Sequence, residues 1–167
     1  MEIYRVLGVD PGSSVTGYGI VEQRENRLLH GENGEIKVPK KASLPQSLKK
    51  IYDGLQKVIR RCSPDIMAVE DLFYYKNAKT ALKLGHARGI AILAAVNADL
   101  DVYEYSPLEI KQAVVGYGRA TKSQTQMMVK ELLNLPEVVS FDASDALAVA
   151  ICHIHSIRMK DALRQSR

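Results

Sequence analysis

The order of apolar patterns along this chain limits it to a small set of architectures. From residue 44 onward, short apolar runs alternate with longer segments in which apolar side chains recur every three or four residues. The runs "DIMAVED" and "DVYEYS" predict buried strands. The longer segments predict helices at residues 44–62, 78–98, 108–115, 122–133 and 142–160. Such an alternation favours a sheet that is covered by helices.

The first 38 residues carry a different pattern. "YRVLGVD" is a short apolar run that ends in an acid, and "GYGIVEQREN" alternates before a turn at Glu25–Asn26. "RLLHGENGEIKV" predicts a strand, a turn and another strand. These segments predict an antiparallel meander, to which the later strands add in parallel. We therefore expect one α/β domain over residues 1–167, with a mixed sheet flanked by helices.

Charge and cysteine usage narrow the class of protein. The net charge is +4, but residues 36–61 hold eight Lys or Arg and one acid, and residues 76–130 hold eight basic residues and four acids. This distribution fits either a bound polyanion such as nucleic acid or a solvated lysine-rich face. The two cysteines, Cys62 and Cys152, lack metal-ligand spacing, which predicts reduced thiols in a cytosolic protein.

Four carboxylates stand where predicted elements begin or end. Asp10 and Glu70 end two apolar runs, whereas Asp142 and Asp145 open the last helix and lie three residues apart, on one face. If the two strands are neighbours and the helix crosses their edge, all four carboxylates converge. Converging carboxylates repel one another, and a divalent cation removes that cost. Oxygen ligands favour Mg²⁺ or Mn²⁺ over zinc.

Each acid also has a purely structural interpretation. Asp10 before Pro11–Gly12 can form a turn, and Glu70 can be an exposed strand end. Asp142 can be the N-cap of the last helix, with Asp145 completing a capping-box-like pair. The stretch "DPGSSVTG" also resembles the phosphate-binding turn of the actin, chaperone and sugar-kinase ATPases, which have two related lobes and need a longer chain.

The predicted helix at residues 78–98 carries three small residues at a spacing of four. These are Ala81, Gly85 and Gly89. A glycine inside a helix costs about 1 kcal/mol relative to alanine. We expect close packing against another helix to offset that cost, and the partner helix belongs either to this chain or to a second copy of it.

Four ordered motifs resemble the RuvC family of Holliday junction resolvases, which have a ribonuclease H-like nuclease fold. They are "GVDPGSSVTGYGI", "AVEDLFYYKNAKTALKLGHARGIAILAAVN", "YSPLEIKQAVVGYGRATKSQ" and "DASDALAVAICH". Together they extend over nearly the whole chain. The resemblance implies a ribonuclease H-like domain with a five-stranded mixed sheet. It also implies an endodeoxyribonuclease that resolves four-way DNA junctions by paired symmetric nicks in recombination and repair.

The resemblance assigns a role to each acid and to several residues around them. The acidic residues would be catalytic and would bind two Mg²⁺ ions, which Mn²⁺ can replace: Asp10, Glu70, Asp142 and Asp145. Hydrolysis would leave 5′-phosphate and 3′-hydroxyl ends. Phe73 would insert against bases near the junction centre, and Lys111 and Lys122 would lie near the scissile phosphate. Arg119 would contact the DNA backbone.

The resemblance also implies partners and a compartment. A four-way junction has near-two-fold symmetry, so a symmetric homodimer can cut two opposed strands. The RuvA–RuvB branch-migration complex and the bacterial cytoplasm, at the nucleoid during repair, are the expected context. Two other functions remain open from the sequence: an RNA-processing nuclease of the same fold, and a junction-binding protein without catalysis. The four intact acids argue against the second of these.

Overall fold

The computed structural model describes residues 3–71 and 76–165, with side chains described as far as residue 160. The first three elements are strands and the last three are helices, and between them helices and strands alternate. The strands are β1 (Tyr4–Asp10), β2 (Val15–Arg24), β3 (Arg27–Lys37), β4 (Ile66–Glu70) and β5 (Asp101–Tyr105). The helices are α1 (Leu44–Cys62), α2 (Ala78–Val96), α3 (Pro107–Val115), α4 (Lys122–Leu132) and α5 (Phe141–Gln165).

The strands form one mixed sheet in the order β3-β2-β1-β4-β5. β1, β2 and β3 pair antiparallel, and β4 pairs in parallel with β1 and with β5. The predicted architecture of a meander followed by parallel strands, with helices on both sides, is thereby confirmed. Each parallel connection carries a helix, as parallel pairing requires.

The turn predicted inside "RLLHGENGEIKV" is wrong, because this segment is the single strand β3. The pairing of β2 with β3 shifts where Ile20 opposes Glu32 and Val21 opposes His30, which leaves Gly31 as an extra residue. Such a β-bulge absorbs a glycine without ending the strand. The glycines that suggested a turn therefore lie within a continuous edge strand.

Side chains along the strands alternate between two cores. Val6 and Ala68 pack on the face covered by α3, α4 and α5. Leu7, Val9 and Met67 pack on the opposite face, against buried residues of α1 and α2. Because successive side chains of a strand point to opposite faces, this alternation also decides where the carboxylates at the strand ends point.

Helix α5 lies directly on the backbone of β1 and β2. A Cβ atom added to Gly8 would lie 1.9 Å from the carbonyl oxygen of Ala146, and one added to Gly17 would lie 2.0 Å from the carbonyl oxygen of Asp142. Real Cβ atoms do not approach a backbone oxygen so closely, so these two strand positions require glycine. Their absent side chains allow α5 to reach the sheet at its first turns.

His153 of α5 is fully buried and bonded on both ring nitrogens. Its Nε2 is 2.9 Å from the Tyr4 hydroxyl, and its Nδ1 is 2.9 Å from the Tyr105 hydroxyl. Burial lowers the pKa of His153 to about 4, so the ring is neutral near pH 7. One tyrosine then donates to the ring and the other accepts from it. This network ties α5 to β1 and β5.

Two further observations concern the cysteines and the membrane. Cys62 is partly buried, Cys152 is buried, and both are free thiols. Within residues 3–71 and 76–165, no helix combines the length and the apolar character that a bilayer-crossing segment needs.

Candidate active site

Asp10 and Glu70 lie side by side at the carboxyl edge of the sheet. Val9 pairs with Val69 in the parallel register of β1 and β4, and the two acids are the next residues of their strands. Because Val9 and Val69 point toward α1 and α2, alternation turns both carboxylates toward the face that α5 covers.

The first turns of α5 bring the other two acids to this edge. The helix is capped by Ser140, whose Oγ accepts from the Ala143 N–H at 3.3 Å and whose carbonyl accepts from the Ser144 N–H at 2.8 Å. The interpretation of Asp142 as the N-cap is therefore wrong, because the cap lies two residues earlier. Asp142 and Asp145 remain one turn apart on the helix, as predicted.

A cavity of about 250 Å³ opens between these elements. Three of the four acids line it, and so do two lysines: Asp10, Glu70, Asp145, Lys111 and Lys122. Pro107, Ile110, Thr125 and Ala148 complete its wall. Strands β1 and β4 and helices α3, α4 and α5 all contribute, so residues that are far apart in sequence converge on one space.

The carboxylates perturb one another strongly. Burial, and after it the charges of Asp145, Glu70 and Asp142 in that order, together raise the pKa of Asp10 to about 8. Burial also raises the pKa of Glu70 and of Asp145. All three carboxyl groups therefore resist ionisation, which indicates an excess of negative charge in a space with little water.

Lys122 supplies part of the compensating charge. Its ammonium group donates to Asp145 Oδ2 at 3.2 Å, and the charge of Asp145 raises the pKa of Lys122. The side chain of Lys122 is 72% exposed, so this ion pair is screened by water and adds little to stability. An exposed cation beside these buried carboxylates can bind a phosphate group.

The donor set fits a hard divalent cation. The carboxylate oxygens are the ligands that Mg²⁺ and Mn²⁺ prefer, and their raised pKa values show a charge that a cation would relieve. Among residues 3–71 and 76–165, no three His, Cys, Asp or Glu groups are close enough to enclose an ion by themselves. Mg²⁺ is usually bound through one or two carboxylates, together with waters and phosphate oxygens.

The remaining predicted DNA contacts are distributed differently. Lys111 and Lys122 lie in the cavity wall. Arg119 is exposed in the loop between α3 and α4 and is not among the residues that line the cavity. Phe73 lies outside the described residues, in the segment between β4 and α2.

Sequence reasoning missed two kinds of residue that shape this site. Gly8 and Gly17 allow α5 to approach the sheet, and a glycine within a strand pattern is a weak signal of such close approach. Arg88 of α2 pairs with Asp71 at 3.2 Å and with Glu104 at 2.8 Å, and so fixes the end of β4. Arg88 lies within one of the quoted motifs, but its role could not be assigned from the sequence, because its partners come from two different segments.

Comparisons with known proteins agree on one family. Residues 6–153 match the family model described as crossover junction endodeoxyribonuclease RuvC. The crossover junction endodeoxyribonuclease RuvC of Syntrophotalea carbinolica is 59% identical over 95% of this chain and 99% of its own. That of Geobacter sulfurreducens is 57% identical over 98% and 99% of the two chains.

A solved structure extends this agreement to the fold. Thermus thermophilus RuvC in complex with Holliday junction substrate superposes with a TM-score of 0.89, at 31% identity over 94% of this chain and 96% of that one. Both the sequence match and the superposition extend over nearly the full length. The chain belongs to the RuvC family of crossover junction endodeoxyribonucleases.

Proposed function

We infer that this protein is an endonuclease that resolves four-way DNA junctions. The observation that carries this inference is the carboxylate cluster at the edge of the sheet, with two lysines in the same cavity wall. A cluster of acids binds the cations that phosphodiester hydrolysis needs, and the adjacent ammonium groups attract the phosphate. The solved relative from Thermus thermophilus, which binds Holliday junction substrate, supports a junction as the substrate.

In this proposal, the four acids bind the metal ions. Asp10, Glu70, Asp142 and Asp145 would hold two Mg²⁺ ions, and Mn²⁺ would substitute for them. When bound, the metal ions acidify the attacking water and neutralise charge on the phosphate. The raised pKa values of Asp10 and Glu70 support this assignment, because carboxyl groups so placed are stabilised by an added cation.

The remaining side chains position the substrate. Lys122 and Lys111 place positive charge in the cavity wall, where each can bind a phosphate oxygen next to the cleaved bond. Arg119, exposed in the neighbouring loop, would bind the backbone farther out. Phe73 would stack on a base opened near the junction centre, an interaction worth about 1–3 kcal/mol per base. Cleavage would leave a 5′-phosphate and a 3′-hydroxyl.

The test is cleavage of a labelled synthetic four-way DNA junction in the presence of Mg²⁺. Linear duplex of the same sequence, an RNA–DNA hybrid and the Asp145→Asn variant serve as comparisons. We expect paired symmetric nicks on the junction only, which a chelator and Asp145→Asn both remove. Cuts on the hybrid would instead indicate an RNA-directed nuclease, and tight binding without cuts on several junction sequences would indicate a binding protein.

A symmetric dimer is the assembly that we propose for this function. Ala87, Ala91, Ala94 and Ala95 bury the inner face of α2, whereas Leu82, Leu93 and Val96 are exposed on its outer face. A Cβ added to Gly85 or Gly89 would meet nothing within 4 Å. Among the described residues, no helix of the same chain packs over these glycines, so of the two alternatives the partner helix within this chain is wrong.

The outer face of α2 is therefore assigned to a second copy. An uncharged strip runs along this face and consists of Leu82, Gly85, Gly89, Leu93 and Val96. In a two-fold dimer, each copy would contribute this same patch to the interface. Two copies would also present two active sites to a junction with two-fold symmetry. The RuvA–RuvB complex as a partner, and the bacterial cytoplasm as the compartment, belong to the same proposal.

Gly85→Glu is expected to produce a monomer. The substitution introduces a charge at the centre of the proposed patch, where burial without a partner is costly. Light scattering on the purified protein measures the mass directly. Gly85→Ala is the matched control, because it leaves the face apolar and should keep the dimer. A Gly85→Glu protein that remains dimeric would place the interface elsewhere.

A further inference from the structure

A second and larger cavity, of about 460 Å³, lies on the other face of the sheet. It is formed by the turn after Asp10 at Ser13 and Ser14, by the end of β3 and the segment that follows it, by the first turns of α1 and by α2. We call this cavity the basic groove. It shares the carboxyl edge of β1 with the active site, and the turn at residues 11–14 lies between the two.

The basic groove is positively charged. Lys37, Lys40 and Lys83 line it, and its lining includes no acid. Lys37 pairs with Glu35 at 3.3 Å, whereas no carboxylate of the described residues lies within 4 Å of the Lys40 or Lys83 ammonium group. The first turn of α1 also lacks acids, so the positive end of that helix adds to the field.

The walls of the groove are held in place by backbone bonds. The Val38 N–H donates to the Ser14 carbonyl at 2.9 Å, which fixes the segment after β3 to the turn. The Thr16 hydroxyl donates to the Gly12 carbonyl at 3.1 Å, which closes the turn itself. The groove is therefore a built concavity between fixed segments, and its floor is apolar, with Val15, Leu48 and Ile51.

The groove lies close to the catalytic acids along the chain. Ser13 follows Asp10 by three residues, so their Cα atoms are at most about 11 Å apart. Successive nucleotides of a DNA strand rise about 3.4 Å along the helix axis. A strand whose scissile phosphate lies at Asp10 would thus reach the groove within about three nucleotides.

We propose that the basic groove binds the phosphate backbone of the cleaved strand a few nucleotides from the scissile phosphate. An acid-free groove with ammonium groups at Lys40 and Lys83 is complementary to successive phosphates, and its apolar floor is complementary to the deoxyribose faces between them. The strand would cross the edge of the sheet over the turn at residues 11–14. This inference rests on the proposed function, since it assumes that junction DNA binds at the carboxylate cluster.

The test compares two double variants that lose the same net charge. Lys40→Gln with Lys83→Gln removes both ammonium groups from the groove. Lys57→Gln with Arg60→Gln removes two exposed cations from the opposite end of α1, about 20 Å from its start along the axis. Junction affinity is measured by fluorescence anisotropy over a range of salt concentrations, with unlabelled junction as competitor.

We expect the groove variant to bind the junction at least tenfold more weakly at 0.15 M salt. The slope of log affinity against log salt should become shallower by about 2, since each lost phosphate contact removes about 0.9. The control variant should change the slope by less than half as much. Cleavage at subsaturating protein should fall in step with the lost affinity, because the two substitutions weaken binding of the substrate.

Either of two results would overturn the groove proposal. The groove variant could match the control in both affinity and slope, or it could lose affinity with no change in slope. Failure of the proposed function would look different, since wild-type protein would then neither bind nor cut the junction. Thermal unfolding of both double variants verifies that each is folded before binding is compared.

Discussion

The Asp10→Asn variant should cleave a four-way junction at least about 1,000-fold more slowly than the wild type, yet be more stable. Asp10 is central to the carboxylate cluster, because three other acids raise its pKa. Asp10 is one of the acids that we propose to hold the catalytic cations. Loss of such a ligand removes several kcal/mol of transition-state stabilisation, and each 1.4 kcal/mol is about tenfold in rate. Single-turnover cleavage with excess protein measures this loss without the complication of product release.

The gain in stability follows from the pKa of Asp10. Its folded-state pKa is about 8, against an ordinary value of 3.8. Below pH 3.8 the carboxyl group is protonated in both states and carries no penalty. Between those two values the unfolded chain releases a proton that the folded protein retains, so the free energy of unfolding falls as pH rises. Above about pH 8 the full cost of the buried charge is present.

Urea unfolding in the presence of a chelator tests this pH dependence. Wild-type protein should lose a few kcal/mol between pH 5 and pH 8, since each unit of pKa difference is worth about 1.4 kcal/mol. Asp10→Asn should show a flatter profile over the same range. Asp99→Asn, at an exposed left-handed position that asparagine also tolerates, is the control and should keep the wild-type slope.

Two outcomes would contradict the role assigned to Asp10. If Asp10→Asn cleaved junctions at the wild-type rate, the carboxylate would not belong to the catalytic centre. If instead the variant were inactive but less stable than the wild type at pH 8, Asp10 would be a structural turn residue whose loss damages the fold. The combination of lost cleavage and gained stability distinguishes a catalytic carboxylate from a structural one.

Local patterns were sufficient to predict most of the elements. The periodicity of residues 44–62 identified α1, and the structure adds the capping box of Ser43 with Gln46 that begins it. β3 was misread because Gly31 and Gly34 favour a turn by local chemistry, whereas pairing with β2 on a sheet edge accommodates them. Tertiary pairing here outweighed the local preference.

The candidate site was likewise predictable only in part, because local sequence patterns identify its acids but not the distant contacts that bring them together. The sequence marks Asp10, Glu70 and Asp145 as acids at element ends, and parallel pairing of β1 with β4 can be anticipated. The depth at which α5 lies on the sheet cannot be predicted from the sequence. It depends on contacts such as that of Gly17 with the Asp142 carbonyl, 125 positions away. The walls of the basic groove come from similarly distant segments.

Gly8→Ala is expected to separate the two halves of the proposed catalytic centre. The new Cβ would lie 1.9 Å from the Ala146 carbonyl oxygen, which belongs to the backbone and cannot rotate away. Either β1 or α5 must shift, and these are the elements that carry Asp10 and Asp145. We expect unfolding to become easier by about 1–3 kcal/mol or more, as in other overpacked cores, and cleavage to fall at least tenfold.

Gly89→Ala is the matched control, because the same methyl group there meets nothing within 4 Å. Gly89 also lies in the patch proposed for the dimer, where alanine keeps the face apolar, so the variant should stabilise α2 by about 1 kcal/mol and leave cleavage within a few-fold of the wild type. Urea unfolding and single-turnover cleavage are measured on both variants at 25 °C, where Gly8→Ala should still be folded. Wild-type cleavage in Gly8→Ala would mean that the carboxylates tolerate a shift of α5 on the sheet. The carboxylate cluster would then be held by its bound cations more than by the packing of this helix.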